Sequence, residues 1–143
     1  MELVIGNNPE LITQAQAIRH QVFVVEQGIP QVFDLDGLDP VSHHALITDE
    51  DNLIATARLH IDESGHSTMA RVAVLLPYRG SGIASKIVRA LLNHASEHGV
   101  KVIEIHAHQY LKGYYEKFGF EFIREVEIVG EHQLIEMRYY ISS

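Results

Sequence analysis

The sequence has no cysteine, which removes disulfide frameworks, thiolate nucleophiles and cysteine-ligated zinc together. It also lacks a long uncharged apolar run that could span a bilayer, and no basic-then-apolar leader opens it, so a cytoplasmic protein with no membrane partner is expected. Basic residues are few. Eleven Lys and Arg stand against 19 Asp and Glu, a formal charge of −8. Nonspecific nucleic-acid binding draws its affinity from Lys and Arg on phosphates, so that class is disfavoured. An acidic balance suits a cationic substrate, although solubility alone explains it as well. Internal repeats, low-complexity tracts and linkers are missing too. With 143 residues, 46% apolar and 21% charged, residues 1–143 read as a single domain that can bury its own core.

One stretch organises the rest. Arg71-Val72-Ala73-Val74-Leu75-Leu76 reads as a buried strand, Pro77-Tyr78-Arg79-Gly80-Ser81-Gly82 as a tight basic turn, and Ile83-Ala84-Ser85-Lys86-Ile87-Val88 as the start of an amphipathic helix. The first turn of a helix leaves backbone N–H groups without internal acceptors, and the helix dipole adds positive charge there. Such a mouth suits a phosphate or pyrophosphate. Gly80 and Gly82 let a ligand approach the main chain, and Arg79 offers a planar fork of donors to the same anion.

Taken in order, residues 2–5 alternate as a short strand. Asn8 followed by Pro9 forms a helix start, and Leu11, Ala15, Ile18 and Val22 recur at helical spacing, which predicts one amphipathic helix over residues 9–25. Residues 26–40 carry Gly28, Pro30, Gly37 and Pro40 with no sustained period, and read as a loop with one short helix. Strands are predicted at 44–48, 52–61 and 67–76, with short turns that imply antiparallel pairing. A helix over 82–98 buries Ile83, Ile87, Leu91 and Ala95 and stops at Gly99. A strand at 101–108 sets Ile103, Ile105 and Ala107 on one face and Glu104, His106 and His108 on the other. A short helix at 111–118 and a hairpin of 121–129 with 133–141 complete the chain. The fold class is α/β: a mixed, mostly antiparallel sheet in the order β-α-β-β-β-α-β-α-β-β.

That order, with a glycine turn between the fourth strand and the next helix, resembles the GNAT superfamily of acyl-CoA-dependent N-acetyltransferases. Arg79-Gly80-Ser81-Gly82-Ile83-Ala84 matches its (Gln/Arg)-x-x-Gly-x-(Gly/Ala) loop, and Tyr115-Glu116-Lys117-Phe118-Gly119-Phe120 resembles its Tyr-Glu-Lys-hydrophobe-Gly-Phe segment. Val22-Phe23-Val24-Val25-Glu26-Gln27 and Asp36-Gly37 bring the pattern closest to the ElaA-like subgroup, so the resemblance covers nearly the whole chain. It implies direct acetyl transfer from acetyl-CoA, as co-substrate and without a metal, to an amine of a small molecule or peptide. The fourth strand is then expected to splay from the fifth after Val74. Backbone groups of Val72, Ala73 and Val74 would hold the pantetheine and polarise the acetyl carbonyl. Arg79, Gly80, Ser81, Gly82, Ile83 and Ala84 would cradle the pyrophosphate. Tyr115 would protonate the leaving thiolate, since an ordinary tyrosine keeps its proton at neutral pH.

An ammonium is no nucleophile, so a base must take its proton directly or through water. Glu26 leads the candidates, with His108 and Glu104 behind it; His108 stands where many members carry Asn. The family's Gly-Ile-Pro-His run is replaced by Gly130-Glu131-His132-Gln133, so no role passes to His132. Plainer readings stand beside these: an ordinary strand-to-helix turn for the glycines, a core tyrosine at Tyr115, and a solvated helix end at Glu26. The ten histidines lack a His-Glu-x-x-His pairing, and Asp34, Asp36 and Asp39 lack the glycine and closing glutamate of a calcium loop, so no metal is expected. Those aspartates are explained by solvation or by recognition of a cationic acceptor. Two rival functions remain: a silent acyl-CoA sensor of the same fold, and a nucleotide-binding oxidoreductase suggested by a near-miss dinucleotide fingerprint. An exposed edge strand leaves room for a homodimer.

Overall fold

In the computed structural model, which describes residues 1–141, seven strands form one sheet in the order β1-β2-β3-β4-β5-β7-β6. The strands are β1 (Glu2–Gly6), β2 (His43–Asp49), β3 (Asn52–Ile61), β4 (His66–Val74), β5 (Val102–His108), β6 (Glu121–Val129) and β7 (His132–Tyr140). Helices α1 (Pro9–Arg19), α2 (Gln31–Asp34), α3 (Ile83–Glu97) and α4 (Lys112–Glu116) connect them. Every neighbouring pair is antiparallel except β4 with β5.

The helices form where the periodicity places them. The Asn8 side chain accepts the Leu11 N–H at 2.9 Å and Pro9 opens α1, an N-cap followed by a residue whose missing N–H costs nothing there. Leu11, Ala15, Ile18 and Val22 are buried, as are Ile83, Ile87, Leu91 and Ala95 of α3. On β2, Ala45 and Ile47 join the core under α3, while Leu46 packs with Leu11, Ile18 and Val22. Successive strand residues face opposite sides, so α1 and α3 cover opposite faces of the sheet.

Three expectations need correcting. The first helix is not α-helical to residue 25: after Arg19 it widens into a π-turn over His20–Glu26, with the Gln27 N–H reaching back to the Val22 carbonyl at 3.1 Å. Val22, Val24 and Val25 are β-branched, which lowers α-helix propensity in that turn, and the wider turn takes over there. The second correction concerns the splay. Strands β4 and β5 pair only over His66–Thr68 against Val102–Glu104, so they part after Thr68, well before Val74. The cause is a bulge: Arg58 pairs with Ala70 and Thr56 with Ala73, three steps on β4 against two on β3. Arg71 takes a left-handed φ of 58° there, and the extra residue bends β4 away from β5. The strand also stops at Val74, and Leu76–Tyr78 form a short 3₁₀ turn instead of continuing it.

Candidate active site

The parting of β4 and β5 opens a cleft floored by β4 and closed at one end by the N-terminus of α3. A cavity of about 460 Å³ there is lined by Val72, Ala73, Val74, Arg79, Gly80, Gly82, Ile83 and Ala84. Of the residues expected to hold a cofactor, Ser81 alone lies outside that lining; its hydroxyl donates to the Tyr78 carbonyl at 2.9 Å. Gly80 and Gly82 have φ of 85° and 80°, and a Cβ on either would meet nothing within 4 Å. Glycine therefore serves both the left-handed turn and an open approach to the backbone. Gly82 caps α3 without any side-chain acceptor, so among the described residues the first-turn amides are left unpaired, at the end of the cavity lined by Gly82, Ile83 and Ala84. Among the described residues the β5 side of β4 has no strand partner beyond Thr68, which leaves main-chain groups facing the gap. Arg79 Nε–H takes one of the β4 carbonyls, that of Val74, at 2.8 Å.

Arg79 is also held from the other side. Its two terminal nitrogens donate to Glu26 Oε2 and Oε1 at 2.6 and 2.8 Å. The Arg79 hydrogen bonds hold the Glu26 carboxyl below its ordinary range, and the Arg79 guanidinium is raised in turn. The end of the π-turn is thus clamped to the glycine loop. Glu26 lines neither cavity in this region, whereas its neighbour Gln27 lines both.

The second cavity, about 360 Å³, adjoins the first and shares Gln27, Val72, Leu111 and Tyr115 with it. Tyr115 is 7% exposed, and burial, aided by Tyr114, pushes its hydroxyl up to about 12. It stays protonated across the neutral range. The neighbouring Tyr114 hydroxyl is 2.9 Å from Ser85 Oγ, which ties α4 to the first turn of α3. On the far wall of the second cavity stands His108, its Nδ1 buried with no hydrogen-bond partner among the described residues. Burial, with the His132 ring 4.8 Å away, lowers its pKa below the ordinary histidine value, so a neutral imidazole faces the cavity at pH 7. Glu104, the third base candidate, lies in neither lining; it is engaged by His106 Nε2 at 2.9 Å, His66 at 3.3 Å and Arg138 at 3.4 Å. The geometry thus brings Tyr115 and His108 to one cavity and sets Glu26 and Glu104 outside it.

The acidic loop does not present free charge. Arg19 meets Asp34 at 3.0 Å and Asp39 at 2.8 Å; Arg58 meets Asp36 at 2.7 Å and Asp39 at 3.1 Å; Arg71 meets Asp36 at 3.3 Å. Three carboxylates are matched by three guanidiniums, with Arg19, Asp34 and Asp39 buried. This overturns their reading as a solvated or cation-recognising acidic cluster: they fasten the loop to α1 and the sheet. Sequence reasoning gave no role to Gln27, Leu111 or Arg71, all of which line the cavities. The one available signal was that Gln27 and Arg71 border motifs already singled out.

Comparison with known proteins bears on the family and the fold. Residues 12–120 match a family described as the acetyltransferase (GNAT) family. YjcF of Bacillus subtilis (strain 168), described as an uncharacterized N-acetyltransferase, is 28% identical over 129 residues, 90% of this chain and 91% of that protein. Among solved structures, an acyl-CoA N-acyltransferase from Pseudomonas aeruginosa superposes with a TM-score of 0.87 at 26% identity, covering 96% of this chain and 98% of that one. Escherichia coli ElaA superposes with a TM-score of 0.86, also at 26% identity and with the same coverage.

Proposed function

The chain belongs to the acetyltransferase (GNAT) family, and from that premise we propose that it moves an acetyl group directly from acetyl-CoA to an amine. The unpaired amides at the mouth of α3, with Gly80, Gly82 and Arg79, bind the pyrophosphate. The β4 main chain from Val72 to Val74 positions the thioester and offers hydrogen bonds to its carbonyl oxygen as negative charge develops there. His108 accepts the proton of the incoming amine from the second cavity. The amine nitrogen then bonds to the carbonyl carbon, the carbon–sulfur bond breaks, and the thiolate takes the Tyr115 proton. No side chain is acylated on this route.

The observation that carries the proposal is the place of Tyr115, a protonated phenol on the boundary between a cavity walled by an anion-binding helix mouth and one holding a neutral imidazole. Glu26 is the weaker base on these grounds, since Arg79 already holds its carboxylate. The test is thiol release from acetyl-CoA across a panel of small amines, amino acids, peptides and aminoglycosides. Amine-dependent release with a sequential initial-velocity pattern supports the proposal. A ping-pong pattern refutes direct attack, and tight acetyl-CoA binding with no release for any amine leaves the silent sensor.

A further inference from the structure

A group of side chains far from the cleft carries chemistry that the acetyl transfer does not use. α3 is 15 residues long, about 22 Å at the helical rise, and its far end carries His94 and His98 one turn apart. The start of β2 brings His43 against them. His94 Nε2 and His43 Nδ1 are 2.8 Å apart, the rings of His94 and His98 stack at 3.9 Å, and those of His43 and His98 lie 5.4 Å apart. One nitrogen from each ring lies within 4.8 Å of the other two.

We propose that His43, His94 and His98 form a binding site for a divalent transition-metal ion of the zinc type. Three imidazoles with no carboxylate among them are the donor set such ions take in preference to calcium or magnesium. In a tetrahedron with bonds of about 2.05 Å, ligand nitrogens sit about 3.3 Å apart. The His43–His94 pair reaches that spacing by opening half an ångström or so, with the ion in place of the shared proton. The tautomer of His98 is already set: its Nδ1 lies 2.8 Å from the His94 carbonyl, an acceptor only, so Nδ1 carries hydrogen and Nε2 keeps its lone pair. Backbone support of this kind orients metal-binding histidines. His98 also caps the C-terminus of α3, where the helix dipole favours a cation. His98 is exposed and the other two half-buried, so an ion can enter and solvent can complete its shell. The other grouping of donors among the described residues, Glu104, His106 and Glu136, is already neutralised, with Arg124 and Arg138 on Glu136 at 3.1 and 3.0 Å.

The test titrates EDTA-stripped protein with Zn²⁺ by calorimetry and with Co²⁺ by visible absorbance. One saturable equivalent is expected. His98→Ala and His94→Gln should each weaken binding by more than the about tenfold that losing an outer partner of a ligand costs, while His106→Ala leaves it unchanged. Melting without metal checks that each variant is folded, and His98, exposed at the surface, is the variant least able to disturb the core. Binding that survives both substitutions, that disappears with His106→Ala, or that never saturates at one equivalent overturns the assignment. None of these outcomes bears on acetyl transfer at the opposite end of α3.

Discussion

The guanidinium of Arg79 and the carboxylate of Glu26 face each other as two parallel hydrogen bonds, Nη1 to Oε2 at 2.6 Å and Nη2 to Oε1 at 2.8 Å. A pyrophosphate bound at the α3 mouth therefore competes with Glu26 for the same donors. Glu26→Gln should lower the Kd for acetyl-CoA while sparing kcat, and Arg79→Ala should raise it. Calorimetric titration of both variants measures this. A collapse of kcat in Glu26→Gln with unchanged affinity would restore the carboxylate to the role of base.

Tyr115→Phe removes one oxygen and little packing. If the phenol supplies the proton to sulfur, kcat should fall about 10²-fold, with acetyl-CoA affinity nearly unchanged. Single-turnover thiol release beside equilibrium binding separates the two quantities. Unchanged turnover would assign the ring to the core alone.

His108 must be neutral to accept a proton, so activity should be lost as pH falls through its pKa. Burial and the neighbouring His132 hold that pKa below the ordinary value of about 6.5, and the acid limb of kcat/KM should lie there. His132→Ala removes the second influence and should move the limb upward. Tyr115, pushed up to about 12, adds no falling limb in the accessible alkaline range. His108→Ala should cost about 10²-fold in kcat/KM, and a limb that survives it would point to another group.

The arginine–aspartate cluster governs stability. Arg19→Ala strips the buried Asp34 and Asp39 of the guanidinium they share, leaving Arg71 on Asp34 and Arg58 on Asp39, and should destabilise by up to about 3–5 kcal/mol, read as a shift of the urea midpoint. Burial alone would raise the Asp36 carboxyl, but hydrogen bonds from Arg58 and the Leu38 N–H and the charges of Arg58 and Arg71 hold it at about 2. An unfolded aspartate titrates at about 3.9. Its folded value being the lower, Asp36 contributes stability above about pH 4 and loses it as pH falls toward 2. Asp36→Asn should flatten that part of the profile.

Much of this architecture is local and therefore legible. The stripes Leu11-Ala15-Ile18-Val22 and Ile83-Ile87-Leu91-Ala95 announce their own helices, and Gly80 with Gly82 announces the turn before α3. The bulge at Arg71 is not legible in this way, because it exists only in the count of β4 residues against β3, and nothing about an arginine forecasts a left-handed φ. The ionic cluster joins Arg19, Arg58 and Arg71 to a loop beginning after residue 30; such matches depend on the finished fold. His43 and His94, 51 residues apart, meet for the same reason. At the site, Tyr115 followed from its motif, whereas the separation of Glu26 from His108 required the π-turn that aims Glu26 at the glycine loop.

Only three residue pairs stitch β4 to β5. Mechanically, the seven strands behave as two plates of four and three joined by a short seam, and the open length of that seam is a slot with backbone on its rim. A molecule that fills the slot and bonds to the rim stiffens the whole sheet against shear. Occupancy should therefore be felt as slower amide exchange in β5 and β7, strands on the opposite plate from the glycine loop.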